Sequence, residues 1–255
     1  MALYLNILGI HIPSYGFMIT LGVITANLFA LYPLRKYKLN FDDMLILEAY
    51  TLLGAFLGAK LLYLFISYRD IDWSRMLEPQ YFNYIMQSGF VFYGGLIGGL
   101  LLFLLAGKIH HIDWKPFIIH LIYLIPWIHG FGRIGCFLAG CCYGIPYDGP
   151  FAVQFPEHSI APSDTTLFPV QLVEAICLLI LAVVLAILDL KKSYLHTIAI
   201  YFIVYGILRF LLEYVRYDAV RGHLFALSTS QWLSIGFVVG TICYLIRTSV
   251  SRKKA

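Results

Sequence analysis

The stretch PVQLVEAICLLILAVVLAIL, residues 169–188, carries a single charged side chain, Glu174, in an otherwise apolar run. A helix of about 20 apolar residues crosses the hydrocarbon core of a bilayer. This stretch is therefore read as a transmembrane helix. Working outward from it, six more stretches qualify: 15–34, 44–68, 91–107, 116–138, 194–215 and 232–247. Between them lie polar segments such as 69–87 and 143–166, and in the latter Pro146, Pro150 and Pro156 argue against regular helices.

Composition supports the same reading. Of 255 residues, 60% are hydrophobic and only 13% charged, with mean hydropathy +0.80. Soluble domains carry about 25% charged residues, and an apolar core does not remove the need for a polar surface. The first eleven residues show no basic region followed by a small-residue cleavage site. No cleaved signal peptide is expected, and the first apolar stretch is retained as a span. No internal repeat or low-complexity region interrupts the chain, so one transmembrane domain over 1–255 is expected. With a formal charge of only +4, the expected partner is membrane lipid and not nucleic acid.

Basic residues set the orientation. Arg35, Lys36, Lys38, Lys108, Lys115, Lys191, Lys192, Arg247, Arg252, Lys253 and Lys254 fall on one side, against Arg69, Arg75, Arg216 and Arg221 on the other. The expected fold is an all-α polytopic integral membrane protein with about seven transmembrane helices, N-terminus outside and C-terminus cytoplasmic. Gly54 and Gly58 on the second span, and Gly94, Gly95, Gly98 and Gly99 on the third, have the spacing that lets helix backbones approach closely in lipid.

Charge at membrane depth costs about 2.5–3.5 kcal/mol on insertion scales and usually marks a cavity or a partner. In YGILRFLLEYVR, residues 205–216, Tyr205, Arg209, Glu213 and Arg216 recur at steps of four, four and three, which places them on one helix face. Two arginines against one glutamate leave positive charge for an anion. In GFGRIGCFLAGCCYG, residues 130–144, Arg133 stands among glycines that allow an unwound or re-entrant backbone. A guanidinium binds phosphate through two parallel hydrogen bonds, so Arg133 with Arg209 is read as a phosphate clamp. Gln171 and Glu174 are candidates for lining the same cavity. Lys60, Glu48, His110, His111 and His120 are assigned snorkelling, interfacial or packing roles.

These motifs resemble those of the bacterial prolipoprotein diacylglyceryl transferase family. Tyr15-Gly16 resembles its early Tyr-Gly, and Phe92-Tyr93-Gly94-Gly95-Leu96 its His-Gly-Gly-Leu motif. Gly132-Arg133-Ile134-Gly135-Cys136-Phe137 resembles its Gly-Arg-x-Gly-Asn-Phe signature. Pro169-Val170-Gln171-Leu172-Val173-Glu174 is similar to its Pro-x-Gln-Leu-Tyr-Glu segment, and Arg209, Glu213 and Arg216 to its late Arg-x-x-x-Glu-x-x-Arg run. The resemblance implies transfer of a diacylglyceryl group from phosphatidylglycerol to the thiol of a lipobox cysteine. The acceptor cysteine follows the prolipoprotein signal peptide, and the reaction takes place at the outer face of the inner (cytoplasmic) membrane. It implies catalytic roles for Arg133, Arg209, Tyr93 and Glu213. It also implies substrate binding by Tyr15, Gly94, Gly95, Gly132, Gly144, Gln171, Glu174, Tyr205 and Arg216, without a cofactor.

The sequence departs from the family where acceptor chemistry is expected. Tyr93 stands for the family histidine and is a poor base near pH 7. Cys136 and Ala139 stand for asparagines, and Cys141 for a glutamate. A phospholipid donor is thus better supported than a lipoprotein acceptor. The alternatives are a paralogue with another acceptor, or a lipid or anion transporter. Cys136, Cys141 and Cys142 are candidate reactive thiols beside Arg133; a disulfide and, with His129, a zinc site stay open. Their spacing is not that of a common zinc site, and vicinal cysteines seldom share an ion, so no metal is expected. A redox or metal protein built on this cluster would leave Arg209, Glu213 and Arg216 without a role.

Overall fold

The computed structural model describes residues 3–7, 9–87, 89–157, 159–191, 196–217 and 223–254. Lys192 and Arg221, both used for the orientation, and the first two residues of the stretch 194–215 lie outside them. A hairpin of β1 (Tyr4–Ile7) and β2 (Ile10–Pro13) leads into α1 (Ser14–Tyr37), followed by α2 (Phe41–Ile66). A 3-10 turn (Trp73–Leu77) and α3 (Pro79–Gln87) precede α4 (Phe92–Ile109), so the polar segment 69–87 is largely helical. Next come α5 (Lys115–Leu121) and α6 (Leu124–Ala139). The two-residue strands β3 (Val153–Gln154) and β4 (Thr166–Leu167) pair across the proline-rich segment. Helix α7 (Val170–Leu190), α8 (Thr197–Leu212) with a 3-10 turn (Glu213–Val215), the small hairpin β5 (His223–Leu224) and β6 (Leu227–Ser228), and α9 (Thr229–Lys254) complete the chain.

Among the described residues, six helices, α1, α2, α4, α7, α8 with its 3-10 turn and α9, are long and apolar enough to cross a membrane. The pair α5 and α6 meets the same measure as a span bent by 57°. Most described residues of all seven expected stretches are thus helical, and the chain is a multi-pass membrane protein. The residues divide into two compact units, Met1–Pro33 with Ile118–Ala255, and Leu34–Phe117.

In the first unit, α7 buries Val170, Gln171, Glu174, Ala175, Leu178, Leu181, Ala182, Leu185 and Asp189, a stripe at the helical period. Gly130 of α6 packs against Leu179 of this helix, where a Cβ would come within 2.9 Å of it. His120 of α5 lies 2.8 Å from the buried Asp189, a pairing that its assignment to packing did not include. Helix α1 contains Pro33, which has no N–H to give the carbonyl of Phe29 four residues earlier. The Tyr123 hydroxyl donates to that carbonyl at 3.2 Å. Trp127 of α6 donates to Thr25 at 2.9 Å, and its ring meets Phe29 edge-on at 4.8 Å.

In the second unit, α2 and α4 pack backbone to backbone. A Cβ on Gly54 would collide with the Gly98 carbonyl, and one on Gly58 with the Gly94 carbonyl. Lipid tails give apolar helix faces no reason to leave them, so association relies on such close packing. Lys60 does not snorkel: it is buried, donates to the Ile85 carbonyl and lies 4.9 Å from the ring centres of both Tyr63 and Phe90. Substituting Gly58→Val should destabilise the protein by about 1–3 kcal/mol through overpacking. A melting scan in detergent checks this against Gly236→Ala, where a new Cβ meets nothing within 4 Å and no loss is expected.

Candidate active site

Arg133 sits in the last turns of α6, and here the structure corrects the expected unwinding. Gly130, Gly132 and Gly135 all lie within regular helix, and the break in the span falls earlier, between α5 and α6. In a medium without water, a helix keeps every backbone group paired, and Gly130 and Gly135 serve the close approach of neighbouring helices. Gly135 lets the start of α1 close in, with Tyr15 Cα 3.1 Å from where a Cβ would stand. Around Gly132 only Ile19 comes within reach, at 4.0 Å.

The centre of the site is Glu174 of α7, 1% exposed. Arg133 Nε lies 2.9 Å from its Oε2, a contact of charge, since the N–H is not aimed as a hydrogen bond. Arg216 Nη1 is 3.8 Å from the same oxygen, and His129 Nε2 is 3.9 Å from Oε1. One turn along α7's inner face, Gln171 is also 1% exposed. Its side-chain amide donates to the Cys141 carbonyl at 2.9 Å and so holds the loop after α6.

Arg209 and Glu213 pair at 2.9 Å, as their four-residue spacing implies. Arg209 also donates to Ser230 at 3.2 Å, while its buried Nη1 has no hydrogen-bond partner among the described residues. The shared face of Tyr205, Arg209, Glu213 and Arg216 is corrected in its last member. Helix α8 ends at Leu212, the chain tightens into a 3-10 turn, and Arg216 is extended. It bridges to Gly144 as an isolated β pair, flanked by Ile145 N–H to the Val215 carbonyl at 3.0 Å and Tyr217 N–H to the Tyr143 carbonyl at 3.2 Å. Gly144 is required there, because a Cβ would run into the Phe168 carbonyl and within 2.9 Å of that of Val215. The extended backbone turns Arg216 onto Glu174. Three guanidiniums therefore face two carboxylates instead of two facing one, and the excess positive charge survives.

Tyr205 interacts electrostatically with Glu174, Arg133, Arg209 and Arg216, and His129 with the same four groups. Their rings meet edge-on at 5.4 Å, with Tyr201 stacked on Tyr205 at 5.8 Å. Tyr15 is half-exposed yet within electrostatic reach of Arg133 and the three thiols. Tyr93, Gly94 and Gly95 belong to the second unit. There Tyr93 contacts Phe92 at 5.8 Å, Gly94 meets the Gly58 carbonyl and Gly95 approaches Ala55. The sequence weighs His129 only as a zinc ligand beside the thiols, not as a neighbour of Glu174, and it does not single out Ser230. His129 stands four positions before Arg133, on the same helix face, and that spacing was a usable signal. Ser230 carried none.

Cys136, Cys141 and Cys142 are free thiols whose sulfurs lie within 4.8 Å of one another. The Cys142 thiol is held below its ordinary value by hydrogen bonds from Cys136 and Cys141, then by Arg133 and Arg216.

Fold and site define a class: a polytopic membrane protein with a cluster of ionised side chains sunk among its helices. The chain belongs to the prolipoprotein diacylglyceryl transferase family, whose model matches residues 2–247. It is 36% identical over 254 residues to phosphatidylglycerol–prolipoprotein diacylglyceryl transferase 2 of Clostridium perfringens, covering 98% of this chain and 96% of that one. A Clostridium tetani phosphatidylglycerol–prolipoprotein diacylglyceryl transferase is 34% identical, covering 92% of each chain. One from Bordetella avium is 30% identical, covering 97% and 94%.

Removing one member of a buried ion pair costs about 3–5 kcal/mol, because the other charge stays behind. Glu174→Ala should lose that much, and Glu174→Gln less, since an amide oxygen still faces Arg133. Denaturant unfolding in mixed micelles measures both, and an alanine variant as stable as the parent would remove Glu174 from the centre of the site.

Proposed function

We propose that the chain is an enzyme that transfers the diacylglyceryl group of phosphatidylglycerol to the thiol of the lipobox cysteine in a prolipoprotein. The observation that carries this is the match to the family along nearly the whole chain, and the ionised cluster gives the reading a physical basis. In the reaction the acceptor thiolate forms a C–S bond to the glyceryl carbon as the C–O bond to phosphate breaks. The departing glycerol phosphate gains a negative charge and takes up the thiol proton. Arg133 and Arg209 hold the phosphate, and their charge stabilises what develops on it. Arg209 has a guanidinium nitrogen with no partner among the described residues to spend on a phosphate oxygen. Glu213 positions Arg209, and Glu174 positions Arg133 and Arg216.

Gly132, where a Cβ would only touch Ile19 at 4.0 Å, admits the headgroup. Tyr15, Gly144, Gln171 and Tyr205 shape the surrounding wall; a catalytic role for Tyr93 and substrate binding by Gly94 and Gly95 rest on the family resemblance alone. The acceptor cysteine is presented by the prolipoprotein signal peptide at the outer face of the inner (cytoplasmic) membrane. The whole chain acts as one transmembrane domain.

Reconstituted with phosphatidylglycerol and a lipobox peptide, the protein should modify the peptide. Arg133→Gln and Arg209→Gln should each cut turnover by about 10²–10³-fold, the usual loss for a group aimed at developing charge. Glycerol phosphate release without peptide modification would remove the lipoprotein acceptor. Lipid binding with no turnover would move the chain to the carriers. The orientation follows from the basic residues on alternate loops. A phosphatase that is active only outside the cytoplasm should be inactive when fused after residue 255 and active when placed in the segment 143–166.

A further inference from the structure

The three thiols at the end of α6 are brought together by the way that helix stops. Gly140 takes the left-handed conformation, φ +71°, its N–H bonds to the Phe137 carbonyl at 3.2 Å, and the Cys141 N–H bonds to the Cys136 carbonyl at 3.0 Å. This paired closure is a Schellman motif, in which the residue after the left-handed glycine folds back onto the one five positions earlier. Cys136 and Cys141 occupy those two positions, so their side chains meet because of the helix stop itself. Cys142 is also left-handed, φ +57°. That conformation swings its side chain away from the alternation an extended pair would show and back toward the other two. The objection that vicinal cysteines seldom share one ion applies to an extended pair, and this pair is not extended.

The loop is held from both sides. Gln171 grips the Cys141 carbonyl, and the Tyr143–Gly144 strand is paired with Arg216 and Tyr217. Metal–thiolate bonds of about 2.3 Å place three sulfurs about 3.8–4.0 Å apart, and the observed sulfurs lie within 4.8 Å. A contraction of a few tenths of an ångström per sulfur closes the site. Cys136 is buried, whereas Cys141 and Cys142 are half-buried and leave a way in. Three thiolates carry three negative charges. A cation offsets part of them, and Arg133 and Arg216, both in electrostatic contact with Cys142, offset more.

We propose that Cys136, Cys141 and Cys142 bind one thiophilic metal ion as a three-thiolate site. The chemistry shared by Zn(II) and Cu(I) fits: soft sulfur ligands and no demand for octahedral oxygen. Binding displaces the thiol protons into solvent and involves no change of oxidation state. The site stands on the thiol geometry and not on the transferase reading.

The test uses the full-length protein in detergent, reduced under anaerobic conditions and exposed separately to Zn(II) and to Cu(I). After desalting, bound metal is counted and protons released on binding are titrated. Either cation retained at one ion per chain, with proton release, supports the site and identifies which ion it prefers. Retention of neither would overturn it. Cys142→Ser should lose most of the bound metal, because only two of the three deprotonated sulfur ligands remain, while Cys177→Ser, outside the cluster, should leave it unchanged. Equal losses in both variants, or full retention in Cys142→Ser, would also overturn it. Co(II) gives a readout that needs no variant, since thiolate ligation adds a near-ultraviolet charge-transfer band, and oxygen-only ligation, which lacks that band, would count against the site.

Discussion

One carboxylate organises the interior of this protein. Glu174 is almost wholly buried and lies against Arg133 from α6, Arg216 from the segment after α8 and His129 from α6. Isolated charge is costly in a low-dielectric core, and it is kept where opposite charges share the burden. The arrangement dictates much of what surrounds it. Helix α7 must turn its narrow inner face to α6, α8 must end early enough to free Arg216, and Gly144 must be small enough for the Arg216 strand to cross. The remaining cation charge, three guanidiniums to two carboxylates, leaves the centre net positive.

Elsewhere the helices meet by a different logic. Between α2 and α4, Gly54 and Gly58 approach Gly98 and Gly94 in direct backbone contact. Lys60, buried in that unit, donates to a carbonyl and lies over two aromatic faces. Each unit thus satisfies its buried cation with what its own helices offer.

The spans were legible because a bilayer leaves a one-dimensional trace: runs of apolar residues long enough to cross it. The pair Arg209 and Glu213 was legible for the same reason, since four residues is a fixed distance on a helix. Pairings across helices left no such trace. That Glu174 answers Arg133, or that Asp189 answers His120, depends on how α7 is turned against α5 and α6. Arg216 defeated the spacing argument because the helix stopped before reaching it. The glycines around Arg133 were read as breaks because glycine permits both unwinding and close packing, and only the neighbours decide between them. Spacing alone does not reveal the left-handed residue at position 142 beside which the three sulfurs gather.

Pro33 and Tyr123 illustrate a dependence of another kind. The proline leaves the Phe29 carbonyl without its helical donor, and a hydroxyl ninety-four positions away in the chain supplies one. Neither residue is explained by its own surroundings. A lineage that restored an N–H at position 33 would make the distant hydroxyl redundant, and one that lost the hydroxyl first would strand a carbonyl in lipid. The order in which such changes arrive therefore matters, and the two positions should be inherited as a pair.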